Sequence, residues 1–283
     1  MSDDCDSQPV KLLRAPSCAH GMSDALVPGK EDSDRFDRTK RIGWIDLDSV
    51  HSMRCLVIGA GALGNEVVKN LVLSGFRDLV LVDMDHIVLS NLNRCLFFRE
   101  GNSQRKEMKA LVVAERAMEL DPVVKIESRT CRIEELTEDS WGEFNIVLGC
   151  LDNIAARLHA NSHSYQMDIP YIDGGTSGMA GKVQVVLPPR TPCFQCGLNR
   201  SHYRVLEKRF SCTGREVSYF EPKMPAEITT TSVIAAIQVR EALKIASGLE
   251  DRCIRHAFFY NGMTGMSEEF EMSFDPDCPL HQL

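Results

Sequence analysis

The sequence lacks any uninterrupted apolar run near the ~18 to 20 residues that a membrane-spanning helix requires. Its first residues also lack the charged-then-apolar order of a secretory signal. Both absences point to a cytoplasmic chain. Positive charge is in short supply too: 32 Lys and Arg face 40 Asp and Glu, a net charge of −8. That balance argues against a general nucleic-acid or anionic-membrane binder and leaves room only for local basic patches, so a small molecule or a protein is the better-fitting partner. No repeat of solenoid period is present, which excludes a stacked array. Disulfide patterning is missing as well. The 11 cysteines are an odd count scattered over strand-like and helix-like stretches. In a reducing compartment a few such thiols carry metal or catalytic work, and the rest serve as small core hydrophobes.

What is present begins with length: 283 residues are enough for one large domain or two small ones. Residues 1–33 hold Pro9, Pro16, Pro28, Gly21 and Gly29 among Ser and Asp without sustained periodicity, and read as a disordered N-terminal tail. From Arg54 the texture changes. Strand-like runs at 55–58, 79–82, 123–127, 145–148 and 171–173 alternate with helical stretches at 66–73, 106–119 and 154–167. Such βαβ alternation predicts an α/β fold with a doubly wound, mainly parallel sheet, Rossmann-like in order. Farther on come a strand at 183–187, a loop with cysteines, a helix over 231–245 and a half-exposed strand over 268–274. The whole of 34–283 reads as one domain, with 197–227 as a loop segment within it.

Gly59, Gly61 and Gly64, with Ala62 among them, stand between a strand and a helix, where backbone N–H groups at the helix start can approach phosphate oxygens. Asp83 ends the next strand, where a carboxylate accepts hydrogen bonds from ribose hydroxyls. This pattern points to a nucleotide and does not separate NAD from ATP. The later residues do. Asp85, Asn91, Arg94, a lysine at a helix start, Asp152 and Asn153 follow successive strands. Cations converging with carboxylates suit a triphosphate and its metal, whereas hydride transfer needs neither.

The segments GAGALG, VDMD, SNLNR, CLDN, YIDGGT, CFQC and CPLH, in that order over roughly residues 34 to 283, resemble the adenylation domain of ubiquitin-like-protein activating enzymes and their ThiF/MoeB-type relatives. SNLNR, ARLHAN, PYIDGGT and TTTSVIAA look nearest to the catalytic subunits of the eukaryotic branch. The resemblance implies ATP- and magnesium-dependent adenylation of the C-terminal carboxylate of a ubiquitin-like protein ending in Gly-Gly. It also implies these roles: the Gly59 loop cradles ATP, Asp83 holds ribose, Asn91 and Arg94 engage phosphates, and Asp152 binds magnesium with Asn153 beside it. The family lysine matches Lys109, with Lys106 as a rival. RFDR at 35–38 resembles a motif whose second arginine, here Arg38, reaches the site of a partner subunit, which implies a homodimer. Thr39 and Cys95 stand where the family usually has Gln.

Cys193 and Cys196 form a CxxC pair, and Cys278 with His281 supplies a second pair, together a Cys3His set typical of structural zinc. A redox CxxC and buried free thiols remain alternatives, and Cys253 is a substitute fourth ligand. The family usually has a second CxxC where His281 stands. Cys212 resembles the acceptor cysteine that takes the ubiquitin-like protein as a thioester, and Lys208, Arg209 and Arg215 nearby favour its thiolate. The expected function is thus adenylation followed by thioester formation, with a conjugating enzyme as a further partner. A sulfur-carrier adenylyltransferase without an enzyme thioester, a non-catalytic partner subunit and an NAD oxidoreductase stay open at this point.

Overall fold

The computed structural model describes residues 31–198 and 225–281. The tail before residue 31 and Cys212 lie outside the described residues. The chain divides into two compact units, one ending at Ile45 and one beginning at Asp46. In the first, the short helix α1 (Asp37–Lys40) is fastened by its own charges. The Asp37 carboxylate accepts from Ser33 Oγ at 2.8 Å and pairs with Arg41 at 2.6 Å.

The second unit is built on one eight-stranded sheet. Strands β1 (Arg54–Ile58), β2 (Asp78–Val82), β3 (Lys125–Arg129), β4 (Ile146–Gly149) and β5 (Tyr171–Ser177) pair in parallel. Strands β6 (Ala180–Val186), β7 (Ala257–Asn261) and β8 (Met266–Phe270) continue it antiparallel, in the order β3-β2-β1-β4-β5-β6-β7-β8. The sheet is therefore mainly parallel, as the alternation predicts. Chain order reverses on the two sides of β1, and in such sheets the crevice for ligands opens there, beyond the C-terminal strand ends.

Helices cover both faces, which is why β1, β2 and β4 are buried along nearly their whole length. On one face α3 (Ala62–Ser74) packs against α8 (Ile228–Ala246) and α5 (Lys109–Met118). On the other, α7 (Ile154–Gln166) lies on β5 beside α6 (Glu138–Trp141). There Trp141, Phe144, Val147, Tyr171, Val186 and Phe194 share one apolar core. Gly75, at φ +105, ends α3, and its N–H and that of Phe76 return to Val72 and Leu71 at 3.2 and 3.1 Å.

Several boundaries differ from expectation for local reasons. The α5 helix starts at Lys109 rather than Lys106, because Lys106 sits at φ +52 in the turn before it. Strand β3 begins two residues late, since Val124 N–H is spent on the Asp121 carbonyl at 3.1 Å. Strand β5 runs on to Ser177 because its glycines are ladder residues paired with β6, not a stop. Strand β7 adds an element to those expected from the sequence. Strand β8 spans 266–270 with every residue exposed because it is the sheet edge, which corrects the half-exposed reading of 268–274. Among the described residues no helix is long and apolar enough to cross a membrane.

Candidate functional site

The loop from β1 to α3 is shaped by packing. A Cβ on Gly59, whose φ is +100, would stand 2.5 Å from the Cys150 carbonyl oxygen, and one on Gly64 would overlap the Gly59 carbonyl oxygen. Nothing lies within 4 Å of a Cβ at Gly61, so the outer side of the loop is open. Ala62 begins α3 directly after it. Asp83, at the end of β2, accepts from Ala60 N–H at 2.7 Å and from Asp85 N–H at 2.7 Å. Burial pushes its carboxyl above the usual range, and the Lys109 charge and the two N–H groups pull the other way. Lys109 Nζ meets Asp85 Oδ2 at 2.7 Å, and its backbone N–H binds the Asp85 carbonyl at 2.9 Å. Lys106 is exposed. Lys109 is therefore the lysine that faces the β2 end.

The other expected residues stand in differing states. Asn91 is buried, and its carboxamide oxygen accepts from Val88 N–H at 3.0 Å. The Arg94 guanidinium is folded onto its own turn, donating to the Ser90 carbonyl and to Asn93 Oδ1. Asp152 is exposed on the turn after β4. Asn153 caps α7 by accepting from Ala156 N–H at 2.8 Å. Arg38 belongs to the first unit and pairs there with Asp32 at 3.9 Å. The fold thus gathers the glycine loop, Asp83, Asp85 and Lys109 at the ends of β1 and β2, and sets Asp152 on the turn after the adjoining strand. Open backbone donors, a lysine and carboxylates at one sheet edge are equipped to hold a phosphorylated ligand and a hard cation.

Two supporting residues are not visible in the sequence pattern. Buried Asn65 donates to the carbonyls of Ala60 and Gly61, both at 2.9 Å, and accepts from Phe97 N–H at 3.0 Å. It locks the glycine loop to the segment after Arg94. Buried Gln238 donates to the carbonyls of Gly149 and Ile172, both at 3.0 Å, and fills the space beside Gly174. The signal for both is a long polar amide on the buried face of an otherwise apolar helix.

Cys193, Cys196, Cys278 and His281 come together, with their ligand atoms all within 4.8 Å of one another. Cys193 Sγ lies 3.7 Å from the sulfurs of both Cys196 and Cys278. A tetrahedron with Zn–S bonds near 2.3 Å has edges of ~3.8 Å, so the sulfur spacing fits zinc. Cys196 Sγ and His281 Nε2 stand 3.0 Å apart, a little closer than the ~3.6 Å of a zinc-centred edge. The other His281 nitrogen is held by the Tyr165 hydroxyl at 2.7 Å, the kind of outer partner that fixes a ligating imidazole. Burial pushes the Cys193 thiol up to about 12, so a cation is needed to keep its thiolate there. Cys253 is not in the cluster; its Sγ faces the carbonyls of Glu241 and Leu249.

The ThiF family matches residues 36–280, nearly all of the described chain. The chain belongs to the ThiF family. This ThiF-type adenylation domain is 35% identical over 167 residues to SUMO-activating enzyme subunit 2 of Dictyostelium discoideum, covering 58% of this chain and 25% of that one. It is 39% identical over 158 residues to the NEDD8-activating enzyme E1 catalytic subunit of Schizosaccharomyces pombe, covering 54% and 35%. It thus spans about a quarter to a third of the length of these relatives. In structure it is similar to E. coli MccB solved with ATP, with a TM-score of 0.71 at 17% identity over 91% of this chain and 77% of that one. That likeness is one of fold.

Proposed function

We propose that this ThiF-family chain activates a ubiquitin-like protein ending in Gly-Gly, first adenylating its C-terminal carboxylate with ATP and then taking it as a thioester on Cys212. The observation that carries the reading is the convergence of the open glycine loop, Asp83, Asp85 and Lys109 at one sheet edge, with Asp152 on the next turn. In this reading the Gly59 loop cradles phosphates through the N–H groups at its helix end, from Gly61 and Ala62 to Gly64, and Asp83 engages the ribose. Asn91, Arg94 and Lys109 hold the phosphate charge, which requires Arg94 and Lys109 to leave their present partners. Asp152 holds magnesium, with Asn153 beside it. When bound, magnesium neutralises charge that builds on the departing pyrophosphate.

The substrate carboxylate attacks the α-phosphorus and pyrophosphate leaves. The Cys212 thiolate then attacks the acyl carbonyl carbon and AMP leaves, which splits a hard transfer into two easier ones. Arg38 reaches the partner's site in a homodimer, the Cys3His cluster holds zinc, and the acyl group passes to a conjugating enzyme. The 35% and 39% identities to SUMO- and NEDD8-activating subunits support the reading. ATP–pyrophosphate exchange measured with a panel of Gly-Gly-ended proteins tests it: exchange is expected only with a ubiquitin-like protein present. Asp152→Ala should lower the exchange by at least ~10². A wild-type rate in that variant removes Asp152 from the site.

A further inference from the structure

The turn that carries Asp152 is braced from below by residues with no role in the reaction just described. Gly149, the last residue of β4, has the Tyr171 ring where its side chain would be, with Cε2 2.9 Å from an ideal Cβ. The Tyr171 hydroxyl donates to Asp173 Oδ1 at 2.9 Å. Asp173 is fully buried, and its Oδ2 faces Arg157 Nη1 at 3.4 Å. The guanidinium reaches further. Its Nε donates to the Leu151 carbonyl at 3.0 Å, and its Nη2 donates to both that carbonyl and the Gly174 carbonyl. One planar cation thus ties the backbone immediately before Asp152 to two successive residues of β5.

We propose that Arg157 is a positioning residue: anchored on Asp173, it fixes the Leu151–Asp152 turn so that the Asp152 carboxylate meets the metal in one orientation. This rests on the reading of Asp152 as the magnesium ligand. A guanidinium suits the task because its fork serves three acceptors in different directions, which a single ammonium group does not match. Removing the charge would leave Asp173 with Lys182 as its remaining cationic neighbour. Lys182 is held instead over the rings of Phe194 and Phe259, at 5.6 and 5.8 Å. Gly175 keeps the place clear: a Cβ there would stand 2.6 Å from Arg157 Nη2. Its backbone is not left-handed, so alanine is conformationally allowed. Gly175→Ala therefore displaces the guanidinium while leaving every charge in the chain intact.

The test uses the full chain and its Arg157→Met, Arg157→Lys, Gly175→Ala and Asp152→Ala variants. ATP binding is measured by calorimetry with EDTA and again with Mn2+ as the metal probe, and Mn2+ resonance reports bound metal. The gain in ATP affinity conferred by the metal should fall about 10- to 100-fold in Arg157→Met and Gly175→Ala, with binding in EDTA held within about twofold. Arg157→Lys should recover only part of the gain. If Arg157→Met fails to fold, Gly175→Ala decides. Full metal gain in Gly175→Ala while Asp152→Ala has lost it overturns the positioning role and leaves Asp152 in place. Full gain in Asp152→Ala overturns the magnesium reading, and this proposal with it.

Discussion

Gly64 is a residue whose purpose is written in its spacing. Its Cβ would occupy the position of the Gly59 carbonyl, and a close approach of that kind admits only glycine, at a fixed offset from the strand end. Asp83 is legible for the same reason, at a strand end that the apolar pattern marks. Asn65, Gln238 and Arg157 are not, since a polar side chain has no visible purpose until its carbonyl partners are folded beside it. The cysteines divide in the same way. Burial pushes the thiols of Cys95 and Cys253 up to about 11 and 12, and raises Cys55 and Cys150 as well. These four are poor nucleophiles near neutrality. Cys212→Ala should therefore keep pyrophosphate exchange and lose the reductant-sensitive band joining enzyme to ubiquitin-like protein on a non-reducing gel. A thioester that survives the substitution moves the acceptor role to another cysteine. A wild-type chain that adenylates and never forms one favours the sulfur-carrier reading.

Among the elements, α8 begins earlier than its periodicity indicates because Glu227 caps it. The Glu227 carboxylate accepts from Thr229 N–H at 2.6 Å and Thr230 N–H at 2.9 Å, satisfying donors that the helix leaves open. These bonds, the one from Thr229 first, hold its carboxyl at about 2 against an ordinary 4.5. A carboxyl depressed on folding contributes stability above its unfolded value and loses it as pH falls through the folded one. The cap should thus be complete above pH 4.5 and fail only as pH drops through about 2. Amide resonances of Thr229 and Thr230 followed through an acid titration check this, and a midpoint near ordinary glutamate would show that the cap does not form. Apolar periodicity marks the body of this helix over 231–245 but not its start, because the first turn is Thr-rich and its signal is a side-chain bond. Strand β7 is hidden for a related reason. Its Ala-Phe-Phe-Tyr run is apolar but too short for periodicity alone to tell a strand from another apolar segment.

At the scale of the molecule, the Cys3His cluster joins residues 193–196 to 278–281, so a metal held there would close a long loop over the face that carries α7. One zinc per chain is expected by elemental analysis, lost or weakened in Cys193→Ser and in His281→Ala. Thermal stability should fall in both. The decrease should be well below the ~10 to 16 kcal/mol of apparent metal coupling in finger peptides, because here an eight-stranded core carries most of the fold. Full zinc in His281→Ala would require another donor, and Cys253 is excluded by its position. Assembly makes a second test. Arg38→Ala mixed with Asp152→Ala should regain some exchange, since each mixed dimer holds one intact site. No recovery in demonstrably mixed dimers removes action in trans.

By itself, the sequence determined the fold class, the glycine loop, the carboxylates at strand ends and the four metal-type ligands. Each is written in local periodicity or in short fixed spacings, and both survive without knowledge of distant partners. Tertiary structure decided what depends on meeting across the chain. It faced Lys109, and not Lys106, to Asp85, and it kept Cys253 out of the cluster. It also set Arg157 of α7 beneath the Asp152 turn, against Asp173 and Gly174 of β5. Those outcomes rest on strand order and register, which bring together residues whose separation along the chain carries no trace of their contact.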